Sequence, residues 1–172
     1  MRTVRDGWRT LRFFLICSPR WLFLIPGLLL ILLGVVGYAI ALPQLTFYGV
    51  TFDMHTLLFA SLALLCGFQA VLFAVLAKLF AITEGILPPD PRLERVFNHL
   101  TLEKGLVGGI VALIVGCALL FTAVLIWRGT GWGRLDYSEV MRLVIPGATF
   151  TALGFQTVLS SFLVSILGMK RK

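Results

Sequence analysis

KLFAITEGILPPDPRLERVFNHLTLEK, residues Lys78–Lys104, is the one long polar interruption in an otherwise apolar chain. Two hydrophobic segments precede it and two follow it. Its wording reads as the close of one long helix and the opening of another. Lys78–Glu84 continues the preceding helix and Gly85 breaks its register. Pro88 and Pro89 end it, since proline has no amide hydrogen and restricts the residue before it. Asp90-Pro91 then supplies an N-cap residue and a proline suited to the first helical position. Arg92, Glu94 and Arg95, with Leu93, Val96, Phe97 and Leu100 on the other side, predict a short water-facing helix. Thr101 is placed to cap a further helix, which becomes apolar at Leu106. The stretch is therefore a structured connector with membrane on either side of it.

Composition agrees. The chain has 172 residues, 59% hydrophobic and 13% charged, whereas a soluble domain usually carries about 25% charged residues. Such a chain is an integral membrane protein. The net charge of +7 does not point to nucleic acid. The charges stand at the ends of apolar runs, where anionic headgroups and topology account for them. The first apolar run is too long for a signal peptide and lacks a small-residue cleavage site, so no cleavable signal is expected. Cys17, Cys66 and Cys117 lie in apolar surroundings at spacings that fit no metal site, and read as small packing residues.

Outward from the connector, residues 1–18 predict an interfacial amphipathic helix. Arg2, Arg5, Arg9 and Arg12 share one sector of a helical wheel, and Val4, Trp8, Leu11, Phe14 and Leu15 share another. Ser18-Pro19 can cap the next helix, with Arg20 and Trp21 at headgroup level. Residues 19–172 predict a transmembrane domain of four helices, at about 21–42, 54–83, 104–127 and 140–168, with a cytoplasmic connector over 84–103. Each span is long enough to cross about 30 Å at 1.5 Å per residue. The exit loop 43–52 is uncharged and would allow a small extended hairpin. Asp53 is placed to cap the second span, and Asp136 with Glu139 has capping-box spacing before the fourth. Pro146 and Gly147 are expected to bend the fourth span's outer end. The fold class is an all-α membrane protein with one interfacial helix and four transmembrane helices.

Lys and Arg number twelve on the connector side and three, Arg128, Arg134 and Arg142, on the other. That bias places both termini and the connector in the cytoplasm. A short internal repeat also shows. Gly67-Phe68-Gln69-Ala70-Val71-Leu72 in the second span matches Gly154-Phe155-Gln156-Thr157-Val158-Leu159 in the fourth. It suggests two helical hairpins of like orientation, related by an axis along the membrane normal. Chance similarity between segments rich in Leu, Phe and Gly is the competing reading.

No complete active site is legible, and no catalytic residue or metal site is assigned. The acidic residues Asp6, Asp53, Glu84, Asp90, Glu94, Glu103, Asp136 and Glu139 avoid the span centres and form no Asp-x-Asp pair. His55 and His99 fall on opposite sides of the membrane. Gly105, Gly109, Ala112 and Gly116 form a small-residue stripe for close helix packing. Gln69 and Gln156 lie deep in their spans and each needs a hydrogen-bond partner there. The plain reading is interhelical glue, worth about 0.6 kcal/mol; the sharper one is a polar substrate site. Lys78 lies about 13 Å along the helix from Gln69, at the inner boundary of the hydrocarbon. Snorkelling alone would explain it. Joined to Arg12 and Arg20, it would form a basic collar for the phosphate of a long-chain lipid.

The segments RDGWRTLRF, SPRWLFLIPGLLL, LAKLFAITEGILPPDPRLER and LTLEKGL, in that order, resemble the C-terminal membrane region of bacterial family-2 glycosyltransferases. These are the polyprenyl-phosphate glycosyltransferases related to dolichol-phosphate mannose synthase. The resemblance runs from Arg5 to Leu167 and is most specific at Ser18–Leu24 and Lys78–Arg95. It implies a module that anchors, oligomerises and presents polyprenyl phosphate in a bacterial inner membrane. Membrane lipids and other copies of the chain are then expected partners, without nucleic acid. It also implies a cytoplasmic catalytic domain, on this or a separate chain, that binds a nucleotide sugar and a divalent metal through an Asp-x-Asp motif. That motif is absent here, so no cofactor is expected in this chain and sugar transfer is not carried over to it alone. Two other classes compete: a small flippase for lipid-linked sugar using Gln69 and Gln156, and a structural subunit of a larger membrane complex.

Overall fold

A computed structural model describes residues 7, 20–44, 46–47, 50–88, 102–134 and 137–169. The interfacial helix expected over 1–18, apart from Gly7, lies outside these residues. So do most of the connector and the expected caps Ser18, Asp90, Thr101 and Asp136.

Among the described residues the protein is helical apart from one minimal hairpin. Its helices are α1 (Ile25–Ala41), α2 (Met54–Thr83), α3 (Leu102–Gly129) and α4 (Tyr137–Met169). All four lie in stretches long and apolar enough to cross a membrane, which makes this a multi-pass membrane protein. Between α1 and α2, β1 (Thr46–Phe47) pairs antiparallel with β2 (Val50–Thr51), the small extended hairpin that the loop's composition allows.

Proline and glycine mark the helix ends. Pro26 stands in the first turn of α1, and the five residues ahead, Arg20–Leu24, are wound as π-helix. Pro26 has no amide hydrogen for the carbonyl four residues back, so the usual ladder cannot run unbroken through this entry. At the end of α2, Gly85 takes φ +72°. The Ile86 amide donates to the Ala81 carbonyl at 2.8 Å and the Gly85 amide to that of Ile82 at 3.1 Å. These two bonds make a Schellman stop, which needs a left-handed residue and so favours glycine. Gly131, at φ +66°, ends α3 with the same pair of bonds, from Trp132 to Trp127 and from Gly131 to Arg128. The rings of Trp127 and Trp132 meet edge-on at 4.7 Å there.

α1 packs along α2 and α3 along α4, while α2 and α4 form a smaller seam between the pairs. Each pair is drawn together by glycine. A Cβ added at Gly67 would stand 2.6 Å from the Gly27 oxygen and 2.8 Å from the Ile31 nitrogen. One added at Gly154 would stand 2.7 Å from the Gly109 oxygen and 2.6 Å from the Leu113 nitrogen. One heptad on, Gly34 faces the Ala60 carbonyl and Leu64, as Gly116 faces the Gly147 carbonyl and Thr151. Val71 covers Gly27 as Val158 covers Gly109. One constant shift carries Gly27, Ile31 and Gly34 onto Gly109, Leu113 and Gly116. Another carries Ala60, Leu64, Gly67 and Val71 onto Gly147, Thr151, Gly154 and Val158. The six-residue repeat is thus the visible part of two hairpins that share one packing scheme.

The α2–α4 seam is fastened at both ends. At the end away from the 84–103 connector, Asp53 and Arg142 form an ion pair at 3.7 Å. Below it, the Tyr38 hydroxyl lies 2.6 Å from Ser61 Oγ and donates to Thr149 Oγ1 at 3.1 Å. That knot joins α1, α2 and α4. At the connector end, buried Leu79 and Ile82 pack with Leu87, Val164 and Leu167. α2 and α4 therefore run parallel, as expected for hairpins of like orientation.

Ser61 and Thr149 also donate to the carbonyls of Leu57 and Ile145, so they keep partners if the tyrosine hydroxyl is removed. Tyr38→Phe is therefore expected to destabilise by only about 1 kcal/mol. The unfolding midpoint in mild detergent checks this, and an unchanged midpoint would mean that the hydroxyl knot holds nothing.

Candidate functional site

Midway between those fastenings the seam opens. A cleft of ≈ 550 Å³ is lined by Phe23, Leu65, Cys66, Gln69, Ala70, Phe73 and Gln156. The two glutamines, equivalent positions of the two hairpins, reach it from α2 and α4. Phe23 meets Phe73 edge-on at 4.7 Å and forms an aromatic wall. Cys66, Gln69 and Phe73 are exposed, so the cleft opens sideways, toward the lipid that surrounds a membrane span.

The structure brings Gln69 and Gln156 together at one cleft, yet no hydrogen bond between their amides is found. Gln156 Oε1 is buried and has no partner. In this geometry the two amides flank an opening. The sequence marked both residues as polar at mid-span, but it could not show that the seam parts between them.

Of the expected basic collar, the described residues include Lys78 and the backbone of Arg20. In the first hairpin Gly34 faces Ala60, Gly27 faces Gly67 and Phe23 meets Phe73. Continued along both chains, that antiparallel register sets Arg20 and Lys78 within roughly one helical turn, about 5 Å, of the same level. Lys78 is half-buried and already holds an interaction of its own. Arg12 lies outside the described residues, and for Arg20 the backbone alone is described.

At the end away from the connector, Asp53 occupies the N-cap position of α2 but makes no side-chain cap bond. This corrects the expectation of an Asp53 cap: its carboxylate is turned across the seam toward Arg142 of α4. At 3.7 Å the pair is too long for a hydrogen bond, and Asp53 Oδ1 and Arg142 Nη2 are both buried without a hydrogen-bond partner. Sequence reasoning missed the pairing. Its one signal was an acid at the start of α2 and a base near the start of α4, at equal depth.

Among the described residues no group of three or more His, Cys, Asp or Glu side chains could hold a metal ion. Cys66 and Cys117 are free thiols.

A model of the glycosyltransferase family 2 C-terminal transmembrane region matches residues 75–168. A curated protein similar to the chain is the low-salt glycan biosynthesis hexosyltransferase Agl6 of Haloferax volcanii, 32% identical over 164 residues. The match takes in 95% of this chain and 38% of that protein, so the chain spans well under half the length of the curated relative it matches. No solved structure matches the chain.

Proposed function

Since the chain belongs to the glycosyltransferase family 2 C-terminal transmembrane region, we propose that it anchors and oligomerises a polyprenyl-phosphate glycosyltransferase and presents the lipid phosphate to its catalytic domain. That domain would move a sugar from a nucleotide sugar onto the lipid phosphate. It would be supplied by a longer form of the protein or by a separate chain, and any divalent metal would belong to it. The membrane would be the cytoplasmic one, with both termini inside. A bacterial source rests on the sequence resemblance alone, since the relative above is archaeal.

The observation that carries the reading is the common level of Arg20 and Lys78 at the inner end of the first hairpin. An arginine and a lysine on neighbouring helical segments at about the same level suit a phosphate monoester: the first offers a planar fork of donors and the second a point charge. Their long stems also let both heads reach the headgroup layer from just inside the hydrocarbon.

The test is native mass spectrometry of the full chain in nanodiscs, loaded with a polyprenyl phosphate against a background of phosphatidylglycerol. The wild-type chain is expected to retain the polyprenyl phosphate preferentially. Arg20→Ala and Lys78→Ala are each expected to weaken retention about ten-fold, the scale of one charge-assisted hydrogen bond. Equal retention of the two lipids, or variants that bind as wild type does, would remove the collar from the proposal.

A further inference from the structure

The mid-depth cleft has a chemistry that lipid chains do not satisfy. Gln156 Oε1 is a buried acceptor without a partner, and Gln69 presents a second amide at the cleft mouth. Hydrocarbon offers neither group a hydrogen bond, and such groups inside a bilayer need one. A volume of ≈ 550 Å³ with a mostly apolar wall and a few polar groups is the make-up of a small-molecule site. The internal repeat sharpens this. Gln69 and Gln156 are equivalent residues, delivered by two hairpins to one opening. The aromatic wall exists on one side only: the second hairpin carries Gly105 and Ser160 where the first has Phe23 and Phe73. The cleft is thus built once, as an asymmetric site.

Three requirements define the occupant. It enters through the open side from lipid. It is mainly hydrocarbon, to lie on Phe23, Leu65 and Phe73. It carries a group that both donates and accepts, because an amide pair presents both N–H and C=O. A hydroxyl is the smallest neutral group that does so, and a charged group would have to shed its water at this depth. We propose that the α2–α4 cleft is a binding site for a neutral, hydroxyl-bearing long-chain amphiphile, its hydroxyl held between Gln69 and Gln156. The site stands apart from the lipid-phosphate reading, whose basic groups lie at the inner end of the helices.

The test is photolabelling of the full chain in nanodiscs with a long-chain alcohol that carries a diazirine. A matched diazirine hydrocarbon without the hydroxyl serves as the comparison. Peptides holding Phe23 and Phe73 are expected to take the alcohol about five-fold more than the hydrocarbon, the scale of one net hydrogen bond. Gln69→Leu combined with Gln156→Leu should bring the two probes to parity. Gln69→Asn combined with Gln156→Asn keeps the amides and should retain part of the preference, which guards against a leucine variant that merely misfolds. Equal labelling of the wild-type chain by both probes, or a preference that survives the leucine variants, overturns the proposal. So does efficient Cys66–Cys66 disulfide formation between copies, which would place a second chain over the cleft.

Discussion

Gly67→Val is expected to force the first hairpin apart, and Gly154→Val the second, each at about 3 kcal/mol, the upper end of the overpacking range. The Cβ atoms alone would stand 2.6 Å from the Gly27 oxygen and 2.6 Å from the Leu113 nitrogen. Those neighbours are backbone, so no rotamer change makes room and the helices must separate. With the helices apart, the contacts made by Val71 and Val158 are lost as well. In a membrane this matters more than in water, because close packing of small residues is itself what holds helices together there. The shared packing scheme adds a second expectation: the two variants should behave alike, although they lie in different hairpins. Gly108→Val is the control, because nothing lies within 4 Å of its added Cβ. Denaturing-detergent titration followed by far-UV circular dichroism reads all three. If Gly108→Val destabilised as strongly as the others, helix propensity and not packing would be the cause.

Leu79→Ala is expected to cost about 2–3 kcal/mol, in the lower half of the range for a buried leucine. Phe59→Ala is expected to cost almost nothing. Leu79 is 2% exposed and sits among Ile82, Leu87, Val164 and Leu167 at the connector end of the seam. Removing its side chain leaves a gap closed off from lipid, and the lining loses its dispersion contacts outright. Phe59 is larger but 70% exposed, so an acyl chain replaces whatever its ring touched. Ranking by hydrophobicity would predict the opposite order. The same titration separates the two views, and a larger loss for Phe59→Ala would mean that its face is covered by protein.

The fold class was legible because the signal is coarse: long apolar runs bounded by charge and by helix-breaking residues. Gly85 was readable as a stop because a left-handed residue is needed where α2 ends. The repeat was legible only where six residues coincide, at Gly67–Leu72 and Gly154–Leu159. Its larger extent rests on Gly27 and Gly34 matching Gly109 and Gly116, which become a pattern only when their partners across the hairpin are known. Asp53 was read as a cap since an acid before a helix usually is one. That its carboxylate crosses to Arg142 depends on α4 lying alongside, and no local rule contains that. Gln69 and Gln156 were recognisable as polar groups in need of partners. The opening between them was not, because a gap in a seam is a property of two helices and is written in neither.

The packing scheme also bears on how the chain is made. The tightest contacts, Gly27 on Gly67 and Gly109 on Gly154, close between neighbouring helices in the chain. The first pair can therefore assemble before α3 and α4 are delivered to the membrane. The α2–α4 seam joins residues far apart in sequence, such as Asp53 with Arg142 and Leu79 with Val164. It closes only once α4 has been delivered. The cleft at its centre therefore forms after the α1–α2 contacts, and until α4 arrives Gln69 faces the bilayer alone.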